Sequence, residues 1–378
     1  VNLMTPPRLN SISISGYRPF KDLMASLGPL EVLVGANGTG KSSLFEFLRF
    51  LRDSVQQDIP PEIVAGWVGQ QIFHRPGPQR FRWSLDVALE QEHCLQYEGQ
   101  LLGPVGSPNV VFERAGTPLV QLLEAGSDSA RANGGVSGAW RKQPNQLALS
   151  LAAQDPMLHR LREYIRGWRF YSAFGLAKDK IRQPALVEQD PVLREDAGNL
   201  SAVLHHLYTE HRPAFDELQQ HLRATVPGFR SLSVKARGGP GQVVALWQEE
   251  GVDVELSLAD LSDGILHLLC WIALCLHPHL PSLICIDEPD QGVHPRTLPL
   301  LGGLFQKASD RTQILLATHA SYFLLQFDLS QIAVLRKANG EVRWHKPSDA
   351  AALTESLADF GPEELEVMHR SDELEHLA

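Results

Sequence analysis

One eight-residue stretch, Gly35-Ala36-Asn37-Gly38-Thr39-Gly40-Lys41-Ser42, limits what this 378-residue chain can fold into more than any other. It fits the pattern G-x-x-x-x-G-K-S in full, and that pattern has chemical meaning only between a strand and a helix. Leu30–Val34, directly before it, is an apolar, β-rich run. Ser43–Leu51, directly after it, repeats Leu44, Phe47, Leu48 and Leu51 on one helical face. Gly38 and Gly40 let the backbone turn tightly and aim successive N–H groups at one point. The start of the helix adds a dipole that favours an anion. Such a cradle suits a polyphosphate. Lys41 is expected to reach the β- and γ-phosphates and the Ser42 hydroxyl to ligate Mg²⁺, with Gly35, Asn37, Thr39 and Ser43 completing the loop. The expected cofactors are ATP and Mg²⁺.

Two further apolar runs end in polar residues suited to the same chemistry. Leu283-Ile284-Cys285-Ile286 has no alternation, as expected of a central parallel strand covered on both faces, and it runs into Asp287-Glu288-Pro289. Parallel sheets bind ligands at the C-terminal ends of their strands. Asp287 is therefore expected to hold Mg²⁺ and Glu288 to polarise an attacking water. The bland reading is a turn closing a strand. Gln313–Ala317 is another such run, followed by Thr318 and His319. His319 is expected to contact the γ-phosphate or hold the water. A histidine there also serves as a plain structural hydrogen-bonder.

The rest of the chain sets limits. Apolar residues make up 43% of it, enough for a sizeable core, and no run of membrane-spanning length is present. The N-terminus does not read as a secretory signal. Three of the four cysteines, Cys270, Cys275 and Cys285, sit in apolar stretches without C-x-x-C spacing, which suits buried thiols in a reducing cytoplasm. A net charge of −10 argues against uniform coating of nucleic acid. Strands are expected at Ser11–Ser15, Phe81–Leu89, His93–Gln100 and Asn109–Arg114, the last three forming a small antiparallel lobe. Gly126–Asn145 reads as a mobile loop, and Leu147–Trp168 and Asn199–Thr225 read as helices. Strands follow at Ser231–Lys235, Val243–Gln248 and Val252–Ser257, then an apolar helix at Leu266–Leu276 and a strand at Ile332–Leu335. The last forty or so residues read as acidic and mostly helical.

Together with Leu261-Ser262-Asp263-Gly264, which fits Leu-Ser-x-Gly, these motifs resemble the ABC-type ATPase head of the SMC/RecF-like branch. Asp287-Glu288-Pro289-Asp290 with His294-Pro295, and Ala317-Thr318-His319-Ala320, resemble more narrowly the compact ATPases related to OLD-family nuclease heads. The resemblance implies an α/β P-loop NTPase of ABC type: a central, mostly parallel sheet, an antiparallel β lobe and a helical insertion. It divides the chain into 1–55 and 231–345 as the two parts of the ATPase domain, 56–230 as lobe and insertion, and 346–378 as a tail. It implies a head-to-head homodimer in which Ser262 and Gly264 of one copy cap the γ-phosphate held by the other. Capping of its own helix is the local alternative for Ser262. The family's Mg²⁺-sensing glutamine has one weak candidate, Gln71, beside Gln70. Only about forty residues follow Leu335, too few for a nuclease domain, so any cutting of DNA or RNA falls to a partner effector.

The expected function is ATP hydrolysis in DNA repair or anti-phage defence. A transporter ATPase subunit, a P-loop phosphotransferase and a non-hydrolysing scaffold are the alternatives. Arg160, Arg162, Arg166 and Arg169, with Arg141 and Lys142, form a candidate nucleic-acid patch, weighed against a solvated helix face.

Overall fold

A computed structural model describes residues 6–60, 72–90, 93–104, 106–133, 138–152, 154–172, 178–338 and 340–347. Gln70, Gln71 and the acidic tail lie outside these residues. From the N-terminus run β1 (Arg8–Tyr17), β2 (Phe20–Ser26), β3 (Leu30–Val34) and α1 (Lys41–Ser54). A meander follows: β4 (Arg80–Glu90), β5 (His93–Leu102), β6 (Asn109–Gly116), β7 (Gln121–Ala125), β8 (Ser129–Ala132) and β9 (Gly138–Arg141). Next come α2 (Ala148–Leu151), α3 (Pro156–Arg166), β10 (Trp168–Ser172), α4 (Lys178–Ile181), β11 (Ala185–Leu186), α5 (Leu200–Glu210) and α6 (Arg212–Thr225). The chain continues with β12 (Phe229–Ala236), β13 (Gln242–Glu249), β14 (Leu256–Ser257), α7 (Asp263–Leu276) and β15 (Leu283–Asp287). It closes with α8 (Leu298–Ser309), β16 (Gln313–Ala317), α9 (Ser321–Leu324), β17 (Ile332–Ala338) and β18 (Glu341–His345).

The chain divides into two compact units, Val1–Trp168 with Leu329–Ala378, and Arg169–Asp328. In the first, eight strands form one antiparallel sheet in the order β2-β1-β4-β5-β6-β7-β8-β9. Its core is aromatic. Tyr17, Phe47, Phe50, Phe81 and Trp83 meet edge-on or tilted at centroid distances of 5.1–6.5 Å, which joins α1 to β1 and β4. The same unit pairs β3 in parallel with β17 (Ile332 opposite Val32) and β17 antiparallel with β18. β3 is buried along its whole length, as its mostly apolar run suits, and its one charged residue, Glu31, is fully buried and accepts from Lys346 Nζ at 2.5 Å.

In the second unit β10, β15 and β16 lie side by side, with β15 and β16 parallel and in register. A smaller antiparallel sheet has the order β11-β13-β12, with β14 on β13. α7 is apolar on nearly every face because it is buried: Leu266 through Leu276 are all buried. No helix among the described residues is long and apolar enough to cross a membrane.

Several elements differ from expectation. The segment read as a mobile loop carries β8 and β9, which pair antiparallel. Ala130 and Ala132 are the buried positions of β8, and such small residues give almost no hydrophobic alternation to detect. The helix expected over Leu147–Trp168 breaks at Asp155, which caps α3 by accepting from Met157 N and Leu158 N at 2.9 and 3.0 Å. Trp168 begins a strand instead of ending that helix. The helix expected over Asn199–Thr225 is two, split at His211 because Pro213 favours a new first turn. β14 is shorter than the Val252–Ser257 run, and β2 and β18 had no forecast.

Candidate functional site

In the first unit the chain leaves β3 through Gly35, turns over residues 36–40 and enters α1 at Lys41. Gly35 and Gly40 have φ of 148° and 103°. A Cβ on Gly35 would overlap the Leu335 carbonyl of β17, and one on Gly40 would overlap the Phe20 ring at 2.7 Å. Both positions therefore exclude a side chain, and the loop backbone is pressed onto its neighbours. Around Gly38 a Cβ would meet nothing within 4 Å, so the loop's other side is open. Thr39 Oγ1 braces the turn by donating to Ala36 O at 2.9 Å.

Lys41 is 6% exposed, and its ammonium donates to the carbonyls of Gly35 and Ala36, so it lies over the loop it follows. No side chain caps α1 and no acid occupies its first turn. The helix start keeps its positive end without a competing carboxylate. Ser42 is exposed in that first turn. An uncapped helix start, an open loop face, a lysine and a hydroxyl fit a phosphate chain and its Mg²⁺.

The second unit holds the acid–histidine cluster. Register sets Asp287 opposite Ala317, so β15 and β16 end level with each other. The ladder runs one residue further, with Glu288 N donating to Ala317 O at 2.8 Å. Glu288 has φ of 54°, a left-handed conformation that costs a side-chain-bearing residue about 1–3 kcal/mol and persists only when its surroundings enforce it. Here the result is a carboxylate 14% exposed with Oε1 3.5 Å from His319 Nε2. Thr318 is fully buried, donates from Oγ1 to Asp290 Oδ1 at 2.6 Å and accepts from Ala320 N at 3.0 Å. It locks the turn that presents His319 onto the turn that presents Glu288.

Ser262 is exposed and caps α7, accepting from Ile265 N at 3.4 Å. Gly264 packs so closely on the Gly292 carbonyl that a Cβ would overlap it. From the same helix, His267 Nδ1 pairs with Gln291 O at 2.9 Å and Trp271 Nε1 donates to Pro289 O at 3.0 Å. These contacts fasten the Ser262–Gly264 helix to the loop after Glu288. His267 and Trp271 carried no signal of this in the sequence, since the apolar run of their helix explains each locally, and Asp290 and Thr318 stood in the quoted motifs without any sign that they meet. His294 caps the short turn at Pro295–Thr297, accepting from Arg296 N at 3.2 Å.

The arginine patch fares differently. Arg162 donates to Ser150 O and pairs with Glu163, and Arg166 pairs with Glu163 as well. Lys142 is 6% exposed, its ammonium donating to the carbonyls of Val110, Ser127, Gln143 and Gln146. Burial pushes its pKa down. Lys142 is thus a buried brace and cannot reach a phosphate. Trp168 and Tyr171, beside these arginines in the sequence, are buried at 0% and 2% exposure.

A family model described as "AAA domain, putative AbiEii toxin, Type IV TA system" matches residues 31–101 and 140–325, well over half of the chain. The chain belongs to that family. Its matched segments take in the phosphate loop, the Ser262–Gly264 turn, Asp287, Glu288 and His319. Among solved structures, an Smc head bound to the C-winged helix domain of ScpA is 12% identical, with a TM-score of 0.55, covering 90% of this chain and 99% of that one. An Smc head with an extended coiled coil, from Pyrococcus furiosus and bound to the C-terminal domain of ScpA, is 11% identical, with a TM-score of 0.55 and coverage of 93% and 100%. At these identities the likeness speaks for the fold, the expected α/β P-loop NTPase of ABC type. No curated protein gives a significant match.

Proposed function

We propose that this AAA-domain chain binds ATP with Mg²⁺, hydrolyses it, and closes head to head with a second copy while ATP is bound. The observation that carries the reading is Glu288, held in a strained backbone conformation at the end of a parallel strand with His319 3.5 Å from its carboxylate. Lys41 neutralises charge on the β- and γ-phosphates. Ser42 and Asp287 would supply a hydroxyl and a carboxylate to Mg²⁺. When bound, the metal polarises the phosphoryl group and neutralises its developing charge. Glu288 accepts the proton of the attacking water, and His319 orients that carboxylate or contacts the γ-phosphate.

Ser262 and the N-terminus of α7 are exposed and suited to an anion from another copy, which gives ATP a place in the interface. Capping of α7 does not compete with this role, because the Ser262 hydroxyl has a hydrogen left to donate. Hydrolysis removes the γ-phosphate and weakens the joint. A toxin of a Type IV TA system in the family's description, and Smc heads bound to ScpA among the solved structures, support a reading in which the chain works with a partner effector. We assign that work to anti-phage defence or DNA repair, with a nuclease or another effector protein as the partner.

The test is light scattering of the Glu288→Gln protein with and without ATP·Mg²⁺, with phosphate release measured alongside. Turnover is expected to fall at least 100-fold, the usual contribution of a general base, while ATP binding persists and the mass doubles. Unchanged turnover would remove Glu288 from its role. An unchanged mass with ATP bound would end the dimer model.

A further inference from the structure

Four of the chain's histidines meet in the second unit, where two helices end. His206 lies near the end of α5 and His211 closes that helix, while His277 closes α7 and His279 follows it. Their rings form a closed circuit. The centroids lie 4.9 Å apart from His206 to His211, 6.1 Å on to His279, 6.2 Å on to His277 and 5.5 Å back to His206. Four imidazoles on one tetrahedral ion, each through a nitrogen about 2.0–2.1 Å from it, place their centroids about 5 Å apart, so the circuit is wider by about 1 Å at most.

The inner pair is set up as ligands. His206 and His277 are 6% and 2% exposed, and Nε2 of each is buried without a hydrogen-bond partner. His277 Nδ1 has two contacts with the His279 backbone, 2.8 Å to the carbonyl and 3.2 Å to the N–H. The shorter one makes Nδ1 the donor and leaves the lone pair on Nε2, the arrangement that orients a metal-binding histidine. A buried lone pair without a partner is costly until something meets it.

Charge points the same way. α5 and α7 both end at the cluster with no lysine or arginine in the last turn, so the negative ends of two helix dipoles lie there. Arg311 meets part of the α7 end through the carbonyls of Cys275 and His277. Asp190, in a left-handed conformation with φ 48°, brings its carboxylate to 3.7 Å from His206 Nε2.

We propose that these four histidines bind one divalent transition ion of the zinc class, for which imidazole is a favoured ligand. As placed, no three donors among the described residues close on one point. Closure takes side-chain rotation of the outer pair: His211 is half-buried, His279 is exposed, and no hydrogen bond among the described residues holds either ring. The site lies at the other end of the 14-residue α7 from Ser262, about 20 Å along the helix, and does not depend on ATP hydrolysis.

The experiment uses the untagged full chain, stripped with EDTA, dialysed and kept free of nucleotide. Zn²⁺ is titrated in competition with a chromogenic chelator, and Co²⁺ is followed by its visible d–d absorption, far stronger in a tetrahedral site than in water. One equivalent of Zn²⁺ per chain and a strong Co²⁺ band are expected. The exposed substitution His279→Asn should lower Zn²⁺ affinity about tenfold or more, and His211→Asn/His279→Asn about 100-fold or more with loss of the band, since removing even a partner outside the ligand set costs about 10–100-fold. His159→Asn, at an exposed position outside the cluster, should leave both readouts as they were. No saturable Zn²⁺ binding at micromolar concentrations overturns the proposal. So does binding that persists unchanged in the double variant, which would place the ion elsewhere.

Discussion

Glu288 and Arg18 are two of the four side-chain-bearing residues with left-handed φ among the described residues, the others being Asp190 and Ala197. In both, the backbone N–H donates to a carbonyl of a distant segment, Ala317 O for Glu288 and Ile72 O for Arg18. A different buried residue makes pH a usable probe. His277 is 2% exposed, with Nδ1 bonded to His279 O at 2.8 Å and its ring stacked 5.5 Å from His206. Burial first, and then the neighbouring His206, His279 and His211 rings, bring its pKa down from 6.5 to about 4, against the effect of the bond to the His279 backbone. Arg311 donates to the His277 carbonyl, and Asp190 lies 3.7 Å from His206 Nε2. The folded pKa is below the unfolded one, so the unfolded chain binds the extra proton first. This part of the stability is complete above pH 6.5 and is lost as pH falls toward 4. Urea midpoints measured across that window on EDTA-treated protein should drop with acid, and the drop should be shallower in His277→Asn, whose amide occupies the Nδ1 position. Equal slopes in the two proteins would show that His277 does not set the acid limit.

At the scale of elements, what matters is where each begins and what is level with it. β15 and β16 end together because they pair in register from Leu283 opposite Gln313 to Asp287 opposite Ala317, and a shift of one residue would part Glu288 from His319. α2 starts on a buried acid: Glu113 accepts from Leu149 N and Tyr97 Oη, both at 2.9 Å, and from Ala148 N. Burial raises the Glu113 pKa despite those three donors. α3 starts on Asp155, 3% exposed, whose carboxylate satisfies two first-turn N–H groups. Asp155→Ala should destabilise the protein by about 1 kcal/mol, read as a lower denaturant midpoint, whereas Asp155→Asn or Asp155→Ser should recover most of it. If alanine and asparagine behave alike, the cap is not what fixes the start of α3.

For the whole molecule, ligand binding is itself a stability measurement. ATP·Mg²⁺ at 100 times its Kd should raise the stability of the Glu288→Gln protein by about 2.7 kcal/mol, seen as a rise of a few degrees in Tm. The same addition to Lys41→Ala should leave Tm where it was. A rise in both proteins would mean that ATP is held elsewhere than on the phosphate loop. Doubling of the mass on closure would add a dependence of Tm on protein concentration, which a single-chain ATP site does not produce.

The sequence alone determined those features whose causes are local. The loop Gly35–Ser42 is legible because close backbone approach needs glycine at fixed steps, and β3 and α1 declare themselves by a mostly apolar run and by helical spacing. β15, β16 and α7 were equally plain, since burial on all sides demands apolar residues throughout. Only the tertiary structure decided the rest. It broke two long helical runs at Asp155 and His211, and it turned a loop rich in small residues into β8 and β9. It pressed Gly264 onto Gly292, brought His319 to Glu288, buried Lys142 and gathered His206, His211, His277 and His279 into one cluster. Such contacts join residues tens to hundreds of positions apart. Packing and strand register select them, and neither leaves a periodic trace along the chain.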